Sequence, residues 1–136
     1  MDKLKSMAII LLMGICFSCS YNDLIQQNSD DELTQEQENQ NLNQLFSEIE
    51  SMTSNLSCND SSEWTFTSYG NKACGGAIGY IAYSTTIDTV LFLKKIEEHR
   101  ISQQEFNEKW EIVSDCLAPS EPNGVLCEDG KPVLEY

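Results

Sequence analysis

The sequence predicts an α+β fold: a small, mostly antiparallel sheet packed on two or three helices and closed by two disulfides. Three observations predict it. Leu42, Leu45, Phe46, Ile49, Met52 and Leu56 recur at three- and four-residue steps, which is one face of an amphipathic helix. Short β-rich runs lie downstream, separated by turn residues that include Asp129-Gly130, a strong hairpin signal between apolar segments. Cys58, Cys74, Cys116 and Cys127 supply an even number of cysteines to a modest core.

The chain has 136 residues, enough for one domain. Its opening reads as a secretory signal over residues 1–18. Lys3 and Lys5 form a positive start, and an apolar run over residues 7–17 follows. That run is too short to span a bilayer. Ser18, a small residue, then precedes Cys19. Cys16-Phe17-Ser18-Cys19 resembles the relaxed lipobox of Bacteroidota lipoproteins, although its two outer positions depart from the usual pattern. The resemblance implies cleavage before Cys19, lipidation of Cys19 and a place in the cell envelope at the outer membrane. It also removes meaning from the Cys-x-x-Cys spacing, because Cys16 is discarded and Cys19 acylated.

Residues 19–41 are rich in Gln, Asn, Asp and Glu and read as a flexible acidic tether. Ser29-Asp30-Asp31-Glu32 within it resembles the acidic signals that send some Bacteroidota lipoproteins to the cell surface. The folded domain is then expected over residues 42–136. Thr34 and Gln37 have capping-box spacing, which would extend the first helix upstream. Ser57-Cys58-Asn59-Asp60 ends that helix. Trp64-Thr65-Phe66-Thr67 alternates and reads as a strand, and residues 79–84 as a second one, with Asn71 to Gly76 as the loop between them. Thr86 or Asp88 caps a helix that runs through Leu91, Leu93 and Ile96 to Trp110, or that breaks near Ile101 into two. Pro119, Pro122 and Gly124 mark a loop, and the Asp129-Gly130 hairpin closes the chain, with Pro132 at an edge or non-donating position.

In an exported protein the four remaining cysteines read as two disulfides. The preferred pairing is Cys58 with Cys74 and Cys116 with Cys127, which closes short loops. Four cysteines allow three connectivities, so the others stay open.

Several pieces together carry a second resemblance: Cys74-Gly75-Gly76, Gly79-Tyr80-Ile81-Ala82-Tyr83-Ser84, Ser114-Asp115-Cys116 and Cys127-Glu128-Asp129-Gly130-Lys131. They resemble small cysteine-containing lipoproteins and secreted proteins of Bacteroidota without an assigned activity. The resemblance implies the fold and the paired cysteines, and it transfers no catalytic residue.

Charge narrows the function. The chain carries 22 acids and 8 bases, a net −14, and removal of the signal makes it one unit more negative. No Lys or Arg occurs from Ser6 to Asn71, where ten acids lie. Such a surface excludes nucleic acid, which needs a basic face, and it suits a basic protein partner.

Candidate chemistry is sparse. His99 is the only histidine, so any Ser-His-Asp or Cys-His system must use it. Its setting in Glu97-Glu98-His99-Arg100 reads as a solvent-facing helical position. The cysteines lack the close pairs of a zinc site, and Asn59-Asp60-Ser61-Ser62-Glu63 lacks the length and central Gly of a calcium loop. Trp64, Phe66, Tyr80 and Tyr83 read as core before they read as an aromatic binding surface. No metal or cofactor is expected and no catalytic residue is assigned. The expected function is a non-enzymatic protein-binding module held to the membrane by its lipid, with no partner identifiable. Its candidate binding loop is Leu117-Ala118-Pro119-Ser120-Glu121-Pro122, which a Cys116–Cys127 bond would brace. An inhibitor or immunity-type protein that neutralises a basic enzyme or toxin is the sharper version, and a small hydrolase the competing class.

Overall fold

The computed structural model of the chain describes residues 32–136. The expected signal, the Cys16 and Cys19 positions, the acidic signal at residues 29–31 and the tether up to residue 31 lie outside the described residues.

Helix α1 spans Gln35–Ser54. Thr34 Oγ1 accepts from the Gln37 amide at 3.3 Å, and Gln37 Oε1 accepts from the Thr34 amide at 2.9 Å. This capping box satisfies two N-terminal donors reciprocally, and Glu36 and Glu38 in the first turn complement the helix dipole. The helix therefore starts upstream of residue 41, where composition alone placed the end of the tether. Its buried stripe is Leu42, Ile49 and Thr53, flanked by half-buried Leu45, Phe46 and Met52.

After a 3-10 turn at Ser61–Glu63, β1 (Trp64–Tyr69) pairs antiparallel with β2 (Gly79–Ser84). Helix α2 spans Thr89–Lys109 without interruption, so the possible break near Ile101 does not occur. Asp88 is its cap and accepts from the Leu91 amide at 2.9 Å. Strand β3 (Gly124–Glu128) pairs antiparallel with β4 (Lys131–Glu135) around Asp129-Gly130, both at positive φ (49° and 74°), as a tight hairpin of this type requires.

The architecture is α+β, with two two-stranded antiparallel sheets in place of one larger sheet. The alternation of the β1–β2 hairpin explains the layering. One face carries Tyr69, Ile81 and Tyr83, which pack with Ile49, Phe92 and Ile96 of the helices. The opposite face carries Trp64, Phe66 and Ala82, which pack with Cys58, Val125 and Leu134 of the second hairpin. The first hairpin is covered on both sides, so its aromatic residues serve the core. Tyr83 stacks on Phe92 at 4.6 Å between ring centres, and Phe66 meets Tyr80 edge-on at 5.9 Å. At the start of the loop between β1 and β2, Gly70 has φ 69°, and a Cβ there would lie 2.6 Å from Ile78 Cδ1. Only glycine suits that position.

The helices run antiparallel and are joined by charge at two levels. Lys95 Nζ lies 3.0 Å from Glu48 Oε2. Glu38, in the first turn of α1, receives Lys109 Nζ at 2.7 Å and Trp110 Nε1 at 2.6 Å. These two donors hold the Glu38 carboxyl below the usual carboxylate range, the Lys109 hydrogen bond contributing most. Residues expected in the tether thus form part of the folded unit.

The disulfide joins Cys58 to Cys127, with Cα atoms 5.2 Å apart and a sequence separation of 69. This overturns the short-loop pairing. Cys58 lies just before β1, in the layer shared with Val125, and so meets the second hairpin rather than the loop that carries Cys74. Cys74 and Cys116 are exposed thiols within hydrogen-bonding reach of each other. Among the described residues no helix is long and apolar enough to cross a membrane.

Candidate functional site

The structure brings together a turn and a loop that are distant in sequence. Residues 71–76 form the turn: the Gly75 amide donates to the Lys72 carbonyl at 2.8 Å, and the Lys72 amide to the Gly76 carbonyl at 2.9 Å. Gly75 and Gly76 both have positive φ, 91° and 84°, which lets the chain double back in so few residues. Asn107, buried near the end of α2, ties this turn to the helix through Nδ2, which donates to the Asn71 carbonyl at 2.7 Å.

The loop begins as α2 ends at Trp110 and runs irregularly to β3. The turn grips its first half. Lys72 Nζ contacts Asp115 Oδ1 at 2.6 Å and donates to the Leu117 carbonyl, also at 2.6 Å. The Ala73 amide donates to Ser114 Oγ at 3.1 Å, and the Leu117 amide to Asp115 Oδ1 at 3.2 Å. The Lys72 ammonium holds the Asp115 carboxyl below its ordinary range. The far half is held differently: Pro122 is buried, and the Asn123 amide donates to the Glu135 carbonyl at 2.7 Å.

At and just before the first of these fixed points the loop presents apolar surface to solvent. Leu117 is 77% exposed and Val113 93%. Of the expected binding segment, Leu117, Ala118, Ser120 and Glu121 are exposed, Pro119 is half-buried and Pro122 is buried. The brace on this loop is Lys72 and the neighbouring cysteines, since Cys127 is engaged by Cys58.

His99 lies elsewhere and is not a surface residue. It is 4% exposed, on the same face of α2 as Phe92, Ile96 and Phe106, and its ring sits 5.2 Å from that of Phe46. Its Nδ1 is buried without a hydrogen-bond partner among the described residues. Desolvation pushes its pKa below the ordinary histidine value. The acidic neighbours that suggested exposure point to the other side of the helix. Leu91 and Leu93, on the same helix, are turned toward solvent.

The remaining candidates have structural roles. Asp60 accepts from the Ser62 amide at 2.9 Å and hydroxyl at 2.7 Å, capping the 3-10 turn. Among the described residues no group of three or more His, Cys, Asp or Glu stands together as a metal site. A cleft of about 300 Å³ opens between α1 and α2, with Leu42, Leu45 and Phe106 in its wall and Glu38, Glu105 and Lys109 around it. The sequence reading did not anticipate Lys72, whose only visible signal was its place in a glycine-rich turn.

No protein-family model, no curated protein and no solved structure matches this chain.

Proposed function

We propose that this chain is a lipid-anchored protein of the cell envelope whose folded unit is a non-enzymatic binding module for another protein. The observation that carries the reading is the loop between α2 and β3. It exposes Leu117, and Val113 just before it, on a loop held at Asp115 and Leu117 by Lys72 and at residues 122–123 by burial and a backbone bond. Large apolar side chains on a pre-ordered, solvent-exposed segment lose little entropy on binding and gain contact area. The anchor rests on the lipoprotein pattern that ends at Cys19.

Two experiments test the two halves. A photo-crosslinking residue at position 117, in the full chain expressed in its own envelope, should yield a discrete protein adduct. The same probe at exposed Glu50 should not. Equal adducts from both positions, or none from 117, would remove the loop from the proposal. For the anchor, labelled fatty acid should enter the wild type and not Cys19→Ala, and equal labelling would exclude Cys19 as the acceptor.

The acidic charge favours a second, sharper version, an inhibitor or immunity-type protein for a basic enzyme or toxin. Long-range attraction would then speed association at low salt. Screening cuts its reach to about 10 Å at 0.1 M ionic strength. The captured partner should be basic, with an on-rate that falls as salt rises.

A further inference from the structure

Two cysteines of the folded unit are joined in the core, Cys58 of the segment after α1 to Cys127 of the second hairpin, and the other two meet at the surface. Cys74 comes from the 71–76 turn and Cys116 from the irregular loop, and both are exposed. Their settings differ. Cys74 Sγ lies 3.2 Å from the Asp115 carbonyl and 3.6 Å from Ser114 Oγ, with the Lys72 ammonium in the same turn. The hydrogen bond with Cys116, then that with Ser114, lowers the Cys74 pKa, and the Lys72 charge acts in the same direction. The contact with Cys74 raises the Cys116 pKa, and the negative Asp115 adds to the effect. Of the two sulfurs, Cys74 is thus the readier thiolate. Accessibility separates this pair from Cys58–Cys127, since Cys58 is 2% exposed and packed with Trp64 and Val125.

We infer that Cys74 and Cys116 form a thiol–disulfide exchange site, with Cys74 as the attacking sulfur and Cys116 as the resolving one, whose substrate is a solvent-accessible disulfide. The Cys74 thiolate attacks one sulfur of the substrate. The substrate S–S bond breaks, one thiolate leaves, and a mixed disulfide forms on Cys74. Cys116 then gives its proton to solvent and attacks Cys74 Sγ, which expels the second substrate thiolate. Two electrons pass from the cysteine pair to the substrate, and the two departing thiolates take up two protons. The product bond ties the turn to the loop that carries Leu117. Excess thiol runs the sequence backwards. Attack depends on thiolate fraction and access; Cys74 is the better placed in the first respect, and both sulfurs belong to exposed residues.

Oxidised glutathione is the probe, applied to the full chain after mild reduction, with cysteine states read by differential alkylation and peptide mass spectrometry. Wild type should end with a Cys74–Cys116 bond and both glutathione halves released. Cys116→Ser should retain one glutathione on Cys74. In Cys74→Ser, Cys116 should react at least tenfold more slowly. Lys72→Gln should move the pH midpoint of Cys74 alkylation upward, through loss of its charge and of its grip on the loop that carries Ser114 and Cys116. In wild type, reduced glutathione should reopen Cys74–Cys116 at concentrations that leave Cys58–Cys127 intact. Equal rates at Cys74 and Cys116, a stable mixed disulfide in wild type without ring closure, or equal reducibility of the two crosslinks would each overturn the inference. The wild-type arms decide the matter even if a variant fails to fold.

Discussion

Opening the Cys58–Cys127 crosslink should cost this domain a large part of its stability, and the size follows from the loop that the bond closes. With a sequence separation of 69, the chain-entropy relation gives a loss of about 15 cal/mol/K in the unfolded chain, or about 4.4 kcal/mol at 25 °C. If Cys74 and Cys116 are also joined, the unfolded path between Cys58 and Cys127 shortens to about 27 residues, and the same relation gives about 3.6 kcal/mol. The perturbation is the double variant Cys58→Ala with Cys127→Ala, compared with wild type in urea and on heating. Fully reduced wild type is the second reference, because it opens the crosslink without trimming Cys58 from the core. At roughly 4–8 °C per kcal/mol for a domain of this size, the melting point should drop by about 15–35 °C. The slope of stability against urea should also rise, because an unfolded chain without the crosslink exposes more surface. A loss below about 1 kcal/mol would refute the reasoning, since it lies far under the loop-closure value. A large loss in the double variant with none on reduction would place the effect in packing rather than in chain entropy.

Three further outcomes are expected. Glu38→Ala, or a chain beginning at residue 42, should melt lower than one beginning at Leu33, because Glu38 joins the start of α1 to Lys109 and Trp110; calorimetry of the three proteins decides it. His99 has a folded pKa below its unfolded value of about 6.5, so its contribution is complete above that pH. Stability should fall as pH drops from about 6.5 toward the folded value, because the unfolded chain takes up the proton first. His99→Phe should remove that part of the slope in a urea series between about pH 7 and 5. Phe92→Ala, at a site with no exposure and a ring stacked on Tyr83, should cost about 3–5 kcal/mol in urea unfolding.

Local chemistry was legible in the sequence, and long-range placement was not. Asp129-Gly130, Asp88 and the alternation from Trp64 announce a hairpin, a helix cap and a strand, because each is determined within a few residues. The Thr34–Gln37 capping box was equally local, yet the polar composition of residues 35–41 favoured a tether. Composition does not see that Glu38 finds two donors on the other helix. His99 was misplaced for a related reason. Its sequence neighbours are charged, but its spatial neighbours on the helix are three and seven residues away, where Ile96, Phe92 and Phe106 set the face. The disulfide pairing depends on which hairpin lies over Cys58, a tertiary fact with no local signature. The bracing of the candidate loop was anticipated in kind but not in agent: Lys72 performs it from a turn that precedes the loop by a strand and a helix.

The crosslink also sets the connectivity of the molecule as a covalent object. Residues 58–127 are a closed ring, and the exposed loop between α2 and β3 lies wholly inside it, while α1 lies outside. A protease that severs one bond of that loop opens the ring into a line and detaches nothing. Both new ends stay on one molecule, held through sulfur. The nick would pass unseen by mass, apart from one added water, until a reductant parts the chain into two fragments. A cut in the short segment between α1 and Cys58 has the opposite result, because no crosslink among the described residues bridges it. Cleavage inside the ring thus leaves one covalent molecule, whereas cleavage before Cys58 divides it into two, which the packing of Ile49 against Phe92 and Ile96 still holds together.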